Sequence, residues 1–330
     1  MNLFWAVILL VGGLAILWKS AELLVAGAVG LARMLGVSSL VIGLTVVAMG
    51  TSAPEVAASI AAVLRETGGG DTAIGNVFGS NITNLALVGG LIALISPLIV
   101  KKMTLLREVP VMLAVALLLW PLMHDFNISR LDATILLIVF TGLILLTIYG
   151  ARKESNQRRN ESKSIGKHTT YDIRDTKKSV VFIILGLIGL ALGAKMTVVG
   201  AVFIGKEKLG LNDGVIGLTI IAFGTSLPEL VTCVVAAVKG EHDISVGNLV
   251  GSNIFNTLLV TGGSGLVRPF DVSPRLAGGI DYWIMIFVSA AFAAFIIIGK
   301  RVVGRIAGIV LLCGYFTYMI YLFATGSANI

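Results

Sequence analysis

Long apolar runs separated by short polar connections fill most of the chain. A helix needs about 20 mostly apolar residues to cross the hydrocarbon core of a bilayer. Ten stretches meet or approach that length: residues 3–20, 37–64, 72–98, 109–123, 131–150, 179–204, 214–238, 244–267, 281–299 and 302–324. The runs are continuous and do not alternate with a period of two, so strands are not expected. The second stretch exceeds what a straight span needs, so it must tilt, break or protrude. The first stretch has no basic leader and no small-residue cleavage site, and it reads as a membrane helix rather than a removed signal. The pattern predicts an all-α membrane protein with ten transmembrane helices.

Composition agrees. The chain is 56% hydrophobic and 13% charged, with a mean hydropathy of +0.96. Soluble domains carry about 25% charged residues. That deficit excludes a water-soluble globule and a disordered chain. The net charge of +7 has a local origin, because nine of the 25 Lys and Arg lie in residues 152–178. This reads as a basic cytoplasmic loop, residues 151–178, and not as a nucleic-acid surface. With that loop inside, five helices on either side place both termini outside, in a multi-pass protein of the cell membrane. Trp120, Tyr149 and Tyr282 read as interface anchors. Cys233 and Cys313 lie in apolar runs, and His124, His168 and His242 lie in polar connections without ligand spacing. No cofactor and no obligatory protein partner are expected; the partners are the bilayer and inorganic cations.

The chain repeats itself. Residues 43–55 read GLTVVAMGTSAPE and residues 217–229 read GLTIIAFGTSLPE, identical at nine of thirteen positions. Residues 75–84 read GNVFGSNITN and residues 247–256 read GNLVGSNIFN, identical at seven of ten. The chain therefore divides into residues 1–150 and 179–330, two five-helix repeats joined by the basic loop. An odd number of helices per half puts the copies in opposite orientations, an inverted repeat of the kind that places a transport site at the midplane.

Each repeat carries one charge in its second apolar stretch, Glu55 and Glu229, with no Lys or Arg beside it. Burying a carboxylate at membrane depth costs a few kcal/mol or more, so an unpaired pair of them points to a cation or proton site. Ser52 and Ser226, three residues earlier, also match a helix capping box. Pro54 and Pro228 break the helical ladder and free carbonyls around Gly50–Thr51 and Gly224–Thr225. Free backbone at membrane depth must line a polar cavity or be buried. Ser80 and Asn84, like Ser252 and Asn256, stand four residues apart and share a helix face. Carboxylates, hydroxyls, amides and carbonyls without sulfur or imidazole favour hard cations, with Ca2+ suited to flexible coordination and Na+ its monovalent competitor.

GTSAPE with GSNITN, followed by GTSLPE with GSNIFN, resembles the two alpha-repeats of the cation/calcium exchanger superfamily, and of prokaryotic sodium/calcium exchangers in particular. The resemblance implies an antiporter exchanging Na+ for Ca2+ by alternating access, electrogenic at three Na+ per Ca2+. It implies that Glu55 and Glu229 are the central ligands. Thr51 and Thr225 would offer carbonyls and hydroxyls, helped by Ser52, Ser226, Ser80 and Ser252. Carbonyls of Ala48 and Ala222 would form outer sodium sites, and Asn84 and Asn256 would complete the middle. The first helix of each half would slide across the remaining bundle. Some members carry Asp where this chain has Asn256, which sets potassium dependence in question. A proton/calcium antiporter is the alternative within transport, and a cation channel or a membrane scaffold the alternative outside it.

Overall fold

The computed structural model describes residues 1–65, 69–164, 173–208 and 222–326. These residues are helical almost throughout. In chain order the helices are α1 (Leu3–Leu35), α2 (Ser39–Thr51), α3 (Ala53–Val63), α4 (Gly69–Ile95), α5 (Thr104–Leu122), α6 (Arg130–Ser164) and α7 (Ile173–Glu207). The short α8 (Ala222–Thr225) leads into α9 (Leu227–Val238), followed by α10 (residues 242–267), α11 (Ile280–Ile298) and α12 (Arg305–Gly326). Among the described residues seven helices are long and apolar enough to cross a membrane, or eight if α2 and α3, bent by 41°, form one broken span.

Several boundaries move from their expected places, each for a local reason. The first helix does not stop at residue 20. Lys19 and Glu22 interrupt the apolar run but pair with each other at 2.9 Å along the helix. The helix runs on to Gly36, whose φ of +66° only glycine adopts freely. There the Val37 N–H bonds back to the Ala32 carbonyl at 3.1 Å, closing a Schellman turn. At about 1.5 Å per residue such a helix is about 50 Å long, well beyond the hydrocarbon thickness. Likewise α6 continues past residue 150 to Ser164, and α7 begins at Ile173. No Gly or Pro lies between 151 and 164, and the segment is rich in Arg, Lys and Glu, so nothing stops the helix. Most of the expected basic loop is thus helical extension; residues 165–172 lie outside the described residues.

Strands, not expected from the pattern, occur as two short antiparallel ribbons. β1 (Leu98–Ile99) pairs with β4 (Val302–Val303), and β2 (Asn127–Ile128) with β3 (Phe270–Asp271). Two residues per strand are too few to show alternation. Each ribbon ties the end of a helix in one half to the start or end of a helix in the other.

The seam between α1 and α7 is built from small residues. Gly200 lies against Ala6, Gly193 against Gly13 and Leu17, Gly186 against Leu24, and Gly27 against Ile183. Positions rise along one helix as they fall along the other, so the two helices are antiparallel. One apolar core gathers around Phe78, Leu85, Ile92, Tyr282 and Phe292 of α4 and α11, all fully buried, and a second joins Leu17 and Leu24 of α1 to Leu190 of α7. Tyr282 is therefore no interface anchor; its hydroxyl donates to the Ala116 carbonyl at 3.2 Å. Trp120 and Tyr149 are exposed.

Candidate functional site

The two GTS-x-PE blocks fold alike. Ser52 breaks the chain between α2 and α3 with φ −84° and ψ 4°, and Ser226 breaks it between α8 and α9 with φ −87° and ψ 3°. Pro54 and Pro228 follow in the first turn of each new helix, where a missing N–H costs nothing. Glu55 and Glu229 occupy the same turn, at the N-terminal ends where unpaired backbone N–H groups favour negative charge. The capping-box expectation fails, because neither serine makes a side-chain cap. An N-cap residue holds an extended backbone; with ψ near zero the Ser52 hydroxyl instead reaches the other half. It donates to Glu229 Oε1 at 3.1 Å.

Both carboxylates are 1% exposed. Glu55 Oε1, Glu55 Oε2 and Glu229 Oε2 have no hydrogen-bond partner, nor do Ser226 Oγ and both amide atoms of Asn84 and of Asn256. None of the ion pairs among the described residues includes Glu55 or Glu229. Such a concentration of unpartnered, buried oxygen is costly unless a cation or water satisfies it.

The remaining expected residues lie on α2, α4, α8 and α10. Thr51 and Ser252 are buried, and Ser252 sits with Thr51 around one amide, that of Asn248. Ser80 is buried on α4. Ala48 is buried in α2, where its carbonyl accepts the Ser52 N–H at 3.0 Å. Ala222 opens α8 and Thr225 ends it, one residue before Ser226. Asn84 and Asn256 lie in π-helical turns, Thr83–Val88 and Asn256–Val260. The regular ladder ends just before them, so the expected shared face with Ser80 and Ser252 is widened by the turn. A third π-turn, Gly43–Val47, precedes Ala48. Irregular turns of this kind recur at functional positions.

Some neighbours escaped the sequence reading. Asn76 donates to the Glu55 carbonyl at 3.2 Å and to Ser59 Oγ at 2.9 Å. Its repeat equivalent, Asn248, donates to Cys233 Sγ at 3.2 Å. Asn81 donates to Thr257 Oγ1 at 3.0 Å across the two halves. The signal was present, since Asn76 and Asn248, like Asn81 and Asn253, are identical positions within the repeated blocks. Among the described residues no three His, Cys, Asp or Glu gather as a metal cluster. The donor set is two carboxylates among neutral oxygens, which suits hard cations rather than zinc or copper.

The sequence model described as sodium/calcium exchanger protein matches residues 5–149 and again residues 178–324. The chain belongs to the sodium/calcium exchanger family. The chain is 33% identical to the sodium/calcium exchanger MaX1 of Methanosarcina acetivorans over 96% of its own length and 98% of that protein. It is 37% identical to the inner membrane protein YrbG of Escherichia coli, over 96% and 97% respectively. Its fold is similar to that of the sodium-calcium exchanger NCX_Mj, with a TM-score of 0.81 and 30% identity over 97% of this chain and 100% of that one. As a member of this exchanger family it is a multi-pass membrane transporter, a cation/Ca2+ antiporter and not an enzyme.

Proposed function

We propose that this exchanger moves Na+ against Ca2+ by alternating access through one site shared between two inverted five-helix repeats. The observation that carries the reading is the pair of buried carboxylates, one per half, with three of their four oxygens unpartnered and the fourth held by Ser52 of the opposite half. Glu55 and Glu229 are the central ligands. Thr51, Thr225, Ser52, Ser226, Ser80 and Ser252 contribute hydroxyl and carbonyl oxygen, Asn84 and Asn256 complete the middle, and the Ala48 and Ala222 carbonyls serve outer Na+ positions. Supporting the inverted plan are the antiparallel α1 and α7, the matching backbone at Ser52 and Ser226, and the two interhalf ribbons.

Charge explains the coupling. Two ionised carboxylates give the empty site −2, and moving that unpaired through low dielectric is very costly. One Ca2+ neutralises it, and so do two Na+; a third Na+ makes exchange electrogenic. Only loaded states then switch access, which is obligatory antiport. The basic stretch between the halves faces the cytoplasm and both termini face outward.

The test is radioactive Ca2+ uptake into proteoliposomes loaded with Na+, beside matched vesicles loaded with K+, with choline or with an acid interior. Uptake driven by the Na+ gradient alone is expected. Uptake driven only by the acid interior would replace Na+ by H+ as the coupling ion, and a requirement for K+ beside Na+ would make the protein a potassium-dependent exchanger.

A further inference from the structure

A hydroxyl that binds a cation must turn its oxygen lone pairs toward the ion and its hydrogen away. Something has to accept that hydrogen. Asn248 on α10 is fully buried, and the carbonyl end of its side chain meets two hydroxyls. Thr51 Oγ1, from α2 of the other half, lies 3.1 Å from Asn248 Oδ1 and 3.4 Å from the Ala48 carbonyl, so the amide oxygen is the nearer of these two acceptors for its one hydrogen, and Ser252 Oγ, one turn along α10, approaches the same amide oxygen at 3.5 Å. The amide nitrogen points the opposite way and donates to Cys233 Sγ at 3.2 Å. That thiol is itself oriented, with its hydrogen toward the Ser245 carbonyl at 3.6 Å, while Ser245 Oγ donates to the Cys233 carbonyl at 3.1 Å. Asn84 and Asn256 keep both amide atoms unpartnered; Asn248 keeps neither.

We infer that Asn248 is a positioning residue: its Oδ1 takes the hydrogens of Thr51 and Ser252 so that both oxygens face the cation, and Cys233 fixes the amide's orientation. This rests on the proposed ion site. An acceptor for the amide N–H is what the arrangement needs at position 233, because an amide rotated by half a turn would aim two N–H donors at the same hydroxyls and reverse their polarity. The amide-nitrogen side of this arrangement recurs in the first half with oxygen in place of sulfur. Asn76 donates to Ser59 Oγ at 2.9 Å, and Ser59 stands four residues after Glu55 as Cys233 stands after Glu229. Serine is therefore the conservative replacement for Cys233, with the same donor and acceptor.

Radioactive Ca2+ uptake by the full chain in Na+-loaded proteoliposomes tests this. Groups that orient ligands rather than bind the ion are worth about 10–100-fold in metal affinity. Asn248→Ala should raise the apparent KM for Ca2+ by about tenfold or more with a maximal rate within about threefold of the parent. In a Thr51→Val, Ser252→Ala background, adding Asn248→Ala should change the KM by less than about twofold, because the groups it acts through are gone. Cys233→Ala should raise the KM severalfold and Cys233→Ser should restore it.

An unchanged KM in Asn248→Ala would overturn the inference. So would a full further loss in the Thr51→Val, Ser252→Ala background, which would mark a merely structural role. If Asn248→Ala does not elute as a monodisperse species, the two Cys233 variants decide, and equal KM values for alanine and serine would overturn it. A Thr51→Val, Ser252→Ala protein with the parent's KM would instead remove the ion-site reading, and this inference with it.

Discussion

Glu55 and Glu229 were legible as single charges in otherwise apolar runs, because a carboxylate at membrane depth has no cheap structural explanation. Asn248 was not legible as a partner of Thr51, since the two are 197 residues apart and only the folded chain brings them together. The capping reading of Ser52, offered beside the site reading, shows the same limit. Ser52-x-x-Glu55 has the spacing of a cap, but a carboxylate from the other half takes its hydroxyl. The carboxylates also give the sharpest prediction at this scale. Glutamine keeps the volume and polarity of glutamate and removes one charge. Replacing one partner of a buried ionic pair costs about 3–5 kcal/mol, more than a hundredfold in binding. Glu55→Gln and Glu229→Gln should therefore each lower Na+-driven Ca2+ uptake at least about a hundredfold. The protein should still insert and elute as a single species. Retention of most of the activity by either variant would take that carboxylate out of the centre.

Among the elements, the α1–α7 seam was the least legible. Hydropathy ends the first helix at residue 20, whereas the folded helix is 33 residues long. A different pattern was there to be read. Small residues recur every seven positions, at Gly13, Ser20 and Gly27 on one helix and at Gly186, Gly193 and Gly200 on the other. In lipid no hydrophobic effect drives helices together, so close van der Waals approach across small residues must do it. The approach is tight. A Cβ at Gly13 would lie 2.5 Å from Thr197 Oγ1 and 2.8 Å from the Gly193 carbonyl. By contrast the nearest atoms to a Cβ at Gly50 and at Gly224 are side-chain atoms of Leu187 and of Val198, where α2 and α8 meet α7. At these positions α7 thus meets α1 through backbone and the two site helices through side chains. Overpacking a close seam costs about 1–3 kcal/mol, so Gly13→Leu should lower the melting temperature in detergent by several degrees and slow exchange. Gly142, with nothing within 4 Å of its Cβ position, supplies the control, and Gly142→Leu should leave both unchanged. Equal melting of the two variants would show that the seam is not tight.

For the whole molecule, the long apolar runs marked a helical membrane protein, although among the described residues seven or eight helices are long and apolar enough to span rather than the ten expected, and the ribbons joining β1 to β4 and β2 to β3 fell below any periodic signal. The proposed inverted halves meet at a site with two carboxylates, and the balance of charge there sets what the membrane potential can do. Three Na+ leaving a vesicle for each Ca2+ entering removes one positive charge per cycle. Each such charge couples to about 2.3 kcal/mol per 100 mV. That corresponds to about a fiftyfold change in the Ca2+ gradient a given Na+ gradient can sustain. Valinomycin with K+ higher outside than inside drives the interior positive, which favours the exit of positive charge. Ca2+ uptake into Na+-loaded vesicles should then be faster and reach a higher plateau than with the K+ gradient reversed. With two Na+ per Ca2+ the loaded site is neutral in both directions and nothing is left for the field to act on. Initial rates and plateaus independent of the valinomycin potential would therefore establish electroneutral exchange, with the two carboxylates alone setting the stoichiometry.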